Sequence, residues 1–458
     1  MRLPAVLLLV CSASAGFCQA LTIDEAVSRA QSASEAIRIR SLAVSRARLA
    51  RQEAAAQAWP HVDLQASGSY LVSPPGGYTV AAGSLGNLKP LVGVSYPLPA
   101  QDLVIGAQPY DYISVAATLS QPLFTWGKIK NAIDAAGLQV DAAGTDLVAQ
   151  QRDITRQVRR AYFSALLARE SEKVLAELSV VAADIVADRQ TALDQGTGTR
   201  EAVLEARSRK AQVDAQLVQA RQGNETARET LGVLTGVDES TVQLASGFPA
   251  SMPALDEEKL RDRAQAASTD VASSRIRQSQ AQKKLAIEQG GDLLHPDVAL
   301  GVSLSATGAE NYLVINGSEP NSNAPTSWTW DLVLSLNVKM SAFDGMAAAA
   351  RIGEAEQDVQ AAGQALAQAQ KLARLAARQA IDAALRADAD LTEKTAAEAY
   401  AAERLANAQA GFDSGMSSRS DLRAAQVLHG SARLDLLLAQ YTREEALADI
   451  EHLTGGAP

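Results

Sequence analysis

Cysteine is nearly absent from this chain of 458 residues, and both copies, Cys11 and Cys18, fall within the first 20 positions. Residues 21–458 therefore hold no thiol, which excludes disulfide staples and thiol catalysis from that stretch. Aromatic side chains are scarce at 4%, although the chain is 47% hydrophobic. Alanine supplies much of that count, so the composition suits helices that approach closely rather than a thick globular core. An excess of basic residues is missing as well. Lys and Arg number 42 against 52 Asp and Glu, for a net charge of −10. This excludes nucleic acid as a partner, because neutralising phosphates needs a basic surface. The four histidines, His61, His295, His429 and His452, are scattered. They have no metal-ligand spacing, and no P-loop or dinucleotide motif accompanies them. The chain thus reads as a non-enzyme with no catalytic residues, no metal and no cofactor. His61 and His295 each neighbour a proline, a setting that fits an interface better than a ligand site.

Long apolar runs are lacking beyond the N-terminus. No stretch there reaches the ~20 residues of a spanning helix. The first segment, "MRLPAVLLLVCSASAGFCQA", has one Arg2, an apolar run from Leu3 to Val10, and then small residues. That is the layout of a secretory signal peptide over residues 1–20, cleaved after Ala20 or, alternatively, after Ala15. Val10 and Phe17 precede the two cysteines where a small residue would be needed, which argues against lipid attachment.

Against these absences stands one unusual stretch, "SWTWDLVLSLNVKMSAFDG". Trp328, Trp330, Leu332, Leu334, Leu336, Val338 and Met340 alternate with Thr329, Asp331, Ser335, Asn337 and Lys339. Period-two alternation predicts a strand with one apolar face. Three more stretches share the pattern. Val62, Leu64, Ala66 and Tyr70 form the first, Ile113, Val115, Ala117 and Leu119 the second, and Val298, Leu300, Val302 and Leu304 the third. At about 10–13 residues each, they have the length of tilted membrane strands.

The chain is a tandem repeat. Phe124 and Phe343 lie 219 positions apart (343 minus 124), as do Gly196 and Gly415, and Gly236 and Gly455. The heptad line Ile133, Val140, Leu147, Ile154, Ala161, Ala168 is echoed at the same offset by Ile352, Val359, Leu366, Ala373, Ala380, Ala387, a coiled-coil seam. Pro60 and Pro296 match at a slightly larger offset. Each copy is predicted to run helix, strand, loop, strand, long helix, turn, helix. The first repeat covers residues 21–236, a linker 237–253, and the second repeat 254–458. The leading helices are predicted over Ile23–Ala58 and Glu257–Gln289. A helix from Gly127 to Leu193 would be about 100 Å long at 1.5 Å per residue, with a return helix over Thr199–Thr235. The two strands of each copy form a hairpin whose loop lies away from the helices. A four-stranded sheet would cap a bundle of long antiparallel helices.

A soluble sandwich would show the same alternation. Here, however, no second sheet or amphipathic helix is set aside to cover the apolar faces. An open edge is forbidden in lipid, so the strands must close a barrel with other copies. On that reading Trp328, Trp330, Leu334 and Leu336 face lipid, with the tryptophans in an aromatic belt.

These residues resemble the TolC-like outer-membrane efflux proteins. The carriers are "LTIDEAV", the "WPHVDL" junction, "LSQPLFTWGK" with its counterpart "VKMSAFDGM", and the turn motifs "DQGTGTREAVLEA" and "FDSGMSSRSDLRAA". Their order, doubled at a constant offset, spans nearly the whole chain after residue 20. The resemblance implies a homotrimer that builds a 12-stranded outer-membrane barrel continuous with a long periplasmic α-helical barrel. It implies passive export for a tripartite efflux or type I secretion system, docked to a periplasmic adaptor and an inner-membrane pump. The turns at Gly196, Thr197, Gly415 and Met416 become the adaptor-docking tips. Of the family's constriction, the Tyr position falls at Phe412 and the Arg position at Ser417. The first entrance Asp is Asp421 and the second falls at Ala424. The Asp that bonds the Arg falls at Ala202, beside Glu201. The family's gate is therefore not reproduced, and Arg200, Arg419, Arg423 and Glu201 are the residues available for substitute pairs. Ser418 and Asp421 have capping-box spacing, and Thr199 is the corresponding cap in the first copy. Two alternatives remain from other classes. A periplasmic adaptor would have one helical hairpin between lipoyl-like halves, and a coiled-coil scaffold would leave the strands unexplained.

Overall fold

The computed structural model describes residues 21–70, 72, 78–88, 96–97, 99, 103–105, 111–237, 244–245, 247–292, 295–310 and 326–456. Residues 1–20, where the signal peptide is expected and which hold Cys11 and Cys18, positions 238–243 and 246 of the expected linker, and most of both strand-to-strand loops lie outside the described residues. The helices are α1 (Ile23–Ala33), α2 (Glu35–Ala56), α3 (Lys128–Asp194), α4 (Arg200–Thr235), α5 (Glu257–Ala267), α6 (Thr269–Gly290), α7 (Ala347–Asp413) and α8 (Arg419–Thr454). None is long and apolar enough to cross a membrane. The strands are β1 (His61–Tyr70), β2 (Tyr78–Val80), β3 (Asn87–Leu88), β4 (Tyr96–Pro97), β5 (Leu103–Ile105), β6 (Asp111–Phe124), β7 (Asp297–Glu310) and β8 (Thr326–Lys339).

The 219-residue offset holds at both ends of the long elements. The 67-residue α3 and α7 and the 36-residue α4 and α8 begin and end at matching positions. The leading helices differ from expectation. Each breaks once, at Ser34 and at Ser268, where ψ turns to 118° and 122°. The cause is local. The serine hydroxyl accepts the amide of the residue three further on, Ile37 or Val271, at 3.3 Å in each case. A serine side chain competes with the helical backbone and starts a new helix. Two short ribbons, β2 with β5 and β3 with β4, stand in the first loop, where alternation gave no signal.

The contacts divide the chain into two compact units: Met1–Ala47 with Gln139–Gln278 and Gln360–Pro458, and Arg48–Leu138 with Ser279–Val359. The first unit is helical, and its core is doubled like the sequence. One cluster gathers Leu21, Ala26, Ala30, Ile154, Val158, Tyr162, Phe163, Leu166 and Leu231, and the other gathers Leu260, Ile381, Ala384 and Ile450. Tyr162 and Ile381 occupy equivalent positions, as do Leu231 and Ile450. Tyr162 needs a partner for its buried hydroxyl and donates to the Leu21 carbonyl at 3.0 Å. Alanines of this unit at 0% exposure (Ala26, Ala30, Ala165, Ala384) sit where a larger side chain would have no room. Buried Arg443 donates to Glu444 at 2.8 Å and to the Pro249 carbonyl, which ties the linker to α8. Burial pushes the Glu444 carboxyl above its usual range despite that arginine.

The second unit holds a four-stranded antiparallel sheet in the order β1-β6-β7-β8. The two hairpins share one register. His61 opposes Ser120 and Asp297 opposes Lys339. Between them, β6 pairs with β7 through Leu119↔Val302, Thr118↔Ser303 and Ala117↔Leu304. Pro60 and Pro296 stand immediately before their strands, where a missing N–H removes no ladder bond.

Candidate functional site

Because side chains alternate along each strand, the registers stack the large apolar residues, Val333 apart, on one face. Across the sheet, Leu64, Ala117, Leu304 and Leu332 form one row. Val62, Leu119, Val302 and Leu334 form the next. Among the described residues of a single copy no element covers the middle of this face: Leu64 is 80% exposed, Leu332 72% and Leu334 73%. Leu336, Trp328 and Trp330 are exposed beside them. The opposite face carries Asp63, Gln65, Ser67, Ser69, Ser303, Ser305, Ser335 and Asn337, with Val333 as an apolar exception. There Asn337 donates to the Ser335 hydroxyl at 3.2 Å. An apolar patch of this extent marks a surface meant to be covered.

Aromatic residues gather at both ends of the sheet. Tyr70, Trp328 and Trp330 sit at the loop end. At the helix end stand Trp59, Phe124, Trp126 and Phe343, a group that alternation could not reveal because it lies outside the strands or at their last residue. Phe124 and Trp126 meet edge to face at 4.8 Å, and the Trp126 ring lies 4.3 Å from His295. The indole N–H of Trp126 donates to the Pro296 carbonyl at 3.0 Å. His295 thus packs in a junction, and its Nδ1 lies 3.0 Å from the Gln289 carbonyl.

The helical turns are near copies of each other. Gly196 and Gly415 adopt φ of 73° and 75°, left-handed values that favour glycine. The amides of Thr197 and Gly198 donate to Ala192, and those of Met416 and Ser417 donate to Gly411. Residues 192 and 198 correspond to 411 and 417. In each turn this touching pair contains one glycine, because a Cβ on Gly411 would collide with Ser417 and one on Gly198 would crowd Ala192. Thr199 caps α4 by accepting the Ala202 amide at 3.2 Å. Ser418 and Asp421 form the full capping box: Asp421 donates its amide to the Ser418 hydroxyl at 3.1 Å and accepts the Ser418 amide at 3.2 Å. The Ser418 hydrogen bonds hold the Asp421 carboxyl below its usual range.

Near the second turn the ion pairs take a course the sequence did not reveal. Arg419 reaches Asp188 on α3 at 2.9 Å, with its guanidinium 6.0 Å from the Phe412 ring. Arg423 reaches Asp184 at 2.8 Å and Asp188 at 3.8 Å. Among the described residues, neither arginine pairs with Glu201, and Arg200 pairs with no acid. The substitute partners are Asp184 and Asp188. A readable signal did exist, since two aspartates four apart on α3 match two arginines four apart on α8, and such residues share a helix face. Ala424, one residue beyond Arg423, carries no polar group. Met416 is 83% exposed at the outermost part of the turn.

A profile described as "Outer membrane efflux protein" matches residues 26–237 and again 260–456. The fold is similar to that of the outer membrane protein VceC from Vibrio cholerae, with 16% identity over 95% of this chain and 96% of that one and a TM-score of 0.70. It is similar to the CmeC outer membrane channel of Campylobacter jejuni (16% identity, 95% and 85% covered, TM-score 0.68). It is also similar to the open state of the MtrE outer membrane channel of Neisseria gonorrhoeae (18% identity, 95% and 89% covered, TM-score 0.67). At these identities the likeness is one of fold. A search of curated proteins gives no match in sequence.

Proposed function

The chain belongs to the outer membrane efflux protein family and is an outer-membrane efflux channel with a periplasmic helical tunnel; we propose that it works as a homotrimer that receives cargo from a periplasmic adaptor and an inner-membrane pump. The observation that carries this reading is the sheet of the second unit. One face is apolar throughout and exposed in the single copy, the other is polar, and both edges are open. Lipid suits the first face, a water-filled lumen the second, and further copies the edges. A periplasmic adaptor or a coiled-coil scaffold has no use for such a sheet.

The turns at Gly196, Thr197, Gly415 and Met416 are the surfaces offered to the adaptor. They are exposed, rigidly capped and free of bulky charge at their apex. The constriction is built around Phe412, Ser417, Arg419, Asp421 and Ala424, with Arg200 and Glu201 at the neighbouring turn. Arg419 and Arg423 hold α8 onto α3 there, and release of that pairing accompanies opening. Fractionation and bilayer recording test the proposal together. The protein should appear in the outer membrane, extractable by detergent, and should conduct in planar bilayers. A protein found only in the soluble periplasmic fraction would refute it.

A further inference from the structure

The repeat supplies information about a pairing that a single copy cannot make. Moving β1 onto β7 takes an offset of 236 (297 minus 61), and moving β6 onto β8 takes 219 (339 minus 120). Under these offsets the whole ladder of the first hairpin becomes that of the second. Val62↔Leu119 maps to Val298↔Val338, and Tyr70↔Asp111 maps to Ala306↔Trp330. The two hairpins are therefore one object used twice. What joins them is the β6–β7 seam. The sheet ends with the same two strand types facing outward, β8 as the counterpart of β6 and β1 as the counterpart of β7.

We propose that β8 of one copy pairs antiparallel with β1 of a second copy in the register of the internal β6–β7 seam, which sets Asn337 opposite Ser67. The inference rests on the closed-barrel reading above. Carrying Thr118↔Ser303 through the offsets gives Asn337↔Ser67, and Leu119↔Val302 gives Val338↔Ala66. In this register apolar residues stay level with apolar ones and polar with polar. A one-residue slip would turn every side chain to the wrong face.

The helix end of the seam supports the same assignment. Inside the chain, Trp126 leaves β6 and rests on His295 and Pro296 at the start of β7. The counterpart of Trp126 is Gly345, where a Cβ would meet open space. The counterpart of His295 is Trp59, which is 70% exposed in the single copy. The large ring changes strands between the two seams. Trp59 of one copy fills the room beside Gly345 of the next.

Residues 21–458 contain no cysteine, so paired cysteines can read the register directly. Directly opposed residues have Cα atoms about 4.5–5.5 Å apart, within disulfide range, whereas diagonal neighbours are about 7–8 Å apart. Asn337→Cys is combined in one chain with Ser67→Cys, Gln65→Cys or Ser69→Cys, and membranes are oxidised mildly. The Ser67 combination should give a several-fold higher yield of intermolecular disulfide than either other. A higher yield with Gln65 or Ser69 overturns the register and leaves barrel closure standing. No cross-link in any combination, with the oligomer intact by native mass, shows that β8 and β1 are not neighbours and overturns the inference alone. No cross-link with a monomeric mass overturns barrel closure itself. Trp59→Ala should lower the temperature at which the detergent-extracted oligomer dissociates, and an unchanged temperature overturns the seating of Trp59.

Discussion

Arg423 serves two carboxylates at once and is only 22% exposed, whereas Arg419 is 61% exposed and serves one. An exposed pair contributes roughly 0.2–1 kcal/mol, and screening reduces it further. Partial burial makes the Arg423 pairing the stronger of the two. Arg423→Ala should therefore raise the conductance or open probability in bilayers more than Arg419→Ala. Asp188→Ala, which touches both arginines, should resemble Arg423→Ala; equal and negligible effects from all three would remove the pairs from gating. Asp421 belongs to a different argument. Its pKa is lowered in the fold by the Ser418 hydrogen bonds. A lowered carboxyl pKa contributes stability that is present above its unfolded value and lost as pH falls through the folded one. The tip of α8 should thus lose amide protection on acidification below the ordinary carboxylate range. Asp421→Asn, which keeps an acceptor without a titrating charge, should flatten that dependence. Hydrogen exchange read at Ser418 and Leu422 distinguishes Asp421→Asn from the unaltered chain. Asp421→Gln asks whether the charge also acts on passing ions. If three carboxylates ring the pore, cation selectivity should fall with the oligomer intact. Unchanged selectivity would leave Asp421 as a cap only.

At the scale of elements, helix packing and sheet sidedness give the clearest expectations. Gly430 lies inside α8, where alanine is intrinsically better by ~1 kcal/mol. Yet a Cβ there would fall 2.5 Å from Leu178 Cδ2 on α3. Overpacking typically costs about 1–3 kcal/mol, so Gly430→Ala should lower thermal stability despite the propensity gain. Adding Leu178→Ala should recover part of the loss, and a stabilised single variant would show that the helices can part cheaply. On the sheet, Leu334→Arg or Leu336→Arg places a charge on the lipid face at a cost of about 2–4 kcal/mol near the bilayer midplane. Assembly into the outer membrane should drop, while the same change at Ser335 or Asn337 should be tolerated. Equal tolerance on both faces would reverse the assignment. Much of this level was legible beforehand. The 219-residue offset placed α3, α4, α7 and α8 to within a residue or two, because period and turn chemistry are local signals. The breaks at Ser34 and Ser268 were missed because a serine within a helical pattern betrays its choice only when its hydroxyl finds an amide. The Asp184 and Asp188 partners were missed for another reason. Which helix faces α8 depends on packing between elements 231 positions apart in sequence, as for Arg419 and Asp188.

At the scale of the whole molecule the question is how many copies close the barrel. Each copy contributes four strands in one sheet with two free edges. Unpaired strand edges are not tolerated in hydrocarbon, so an isolated copy cannot be the membrane form. Two copies would give eight strands, and the interior of an eight-stranded barrel is about filled by its own side chains. Such a barrel could seal its edges yet leave little room for cargo. Three copies give twelve, the smallest number built from whole chains that leaves a lumen. The polar face of Ser, Thr, Asn, Gln and Asp would line it. The detergent-extracted protein should therefore have a native mass three times that of the mature chain and keep its β signal. A dimer with intact β signal would mean the lumen is plugged or absent, and bilayer conductance should then be nil. A monomer with intact β signal would mean that the apolar face is covered in some way other than closure with copies. Only the trimer both pairs every strand edge and leaves the polar face of the sheet around a water-filled lumen.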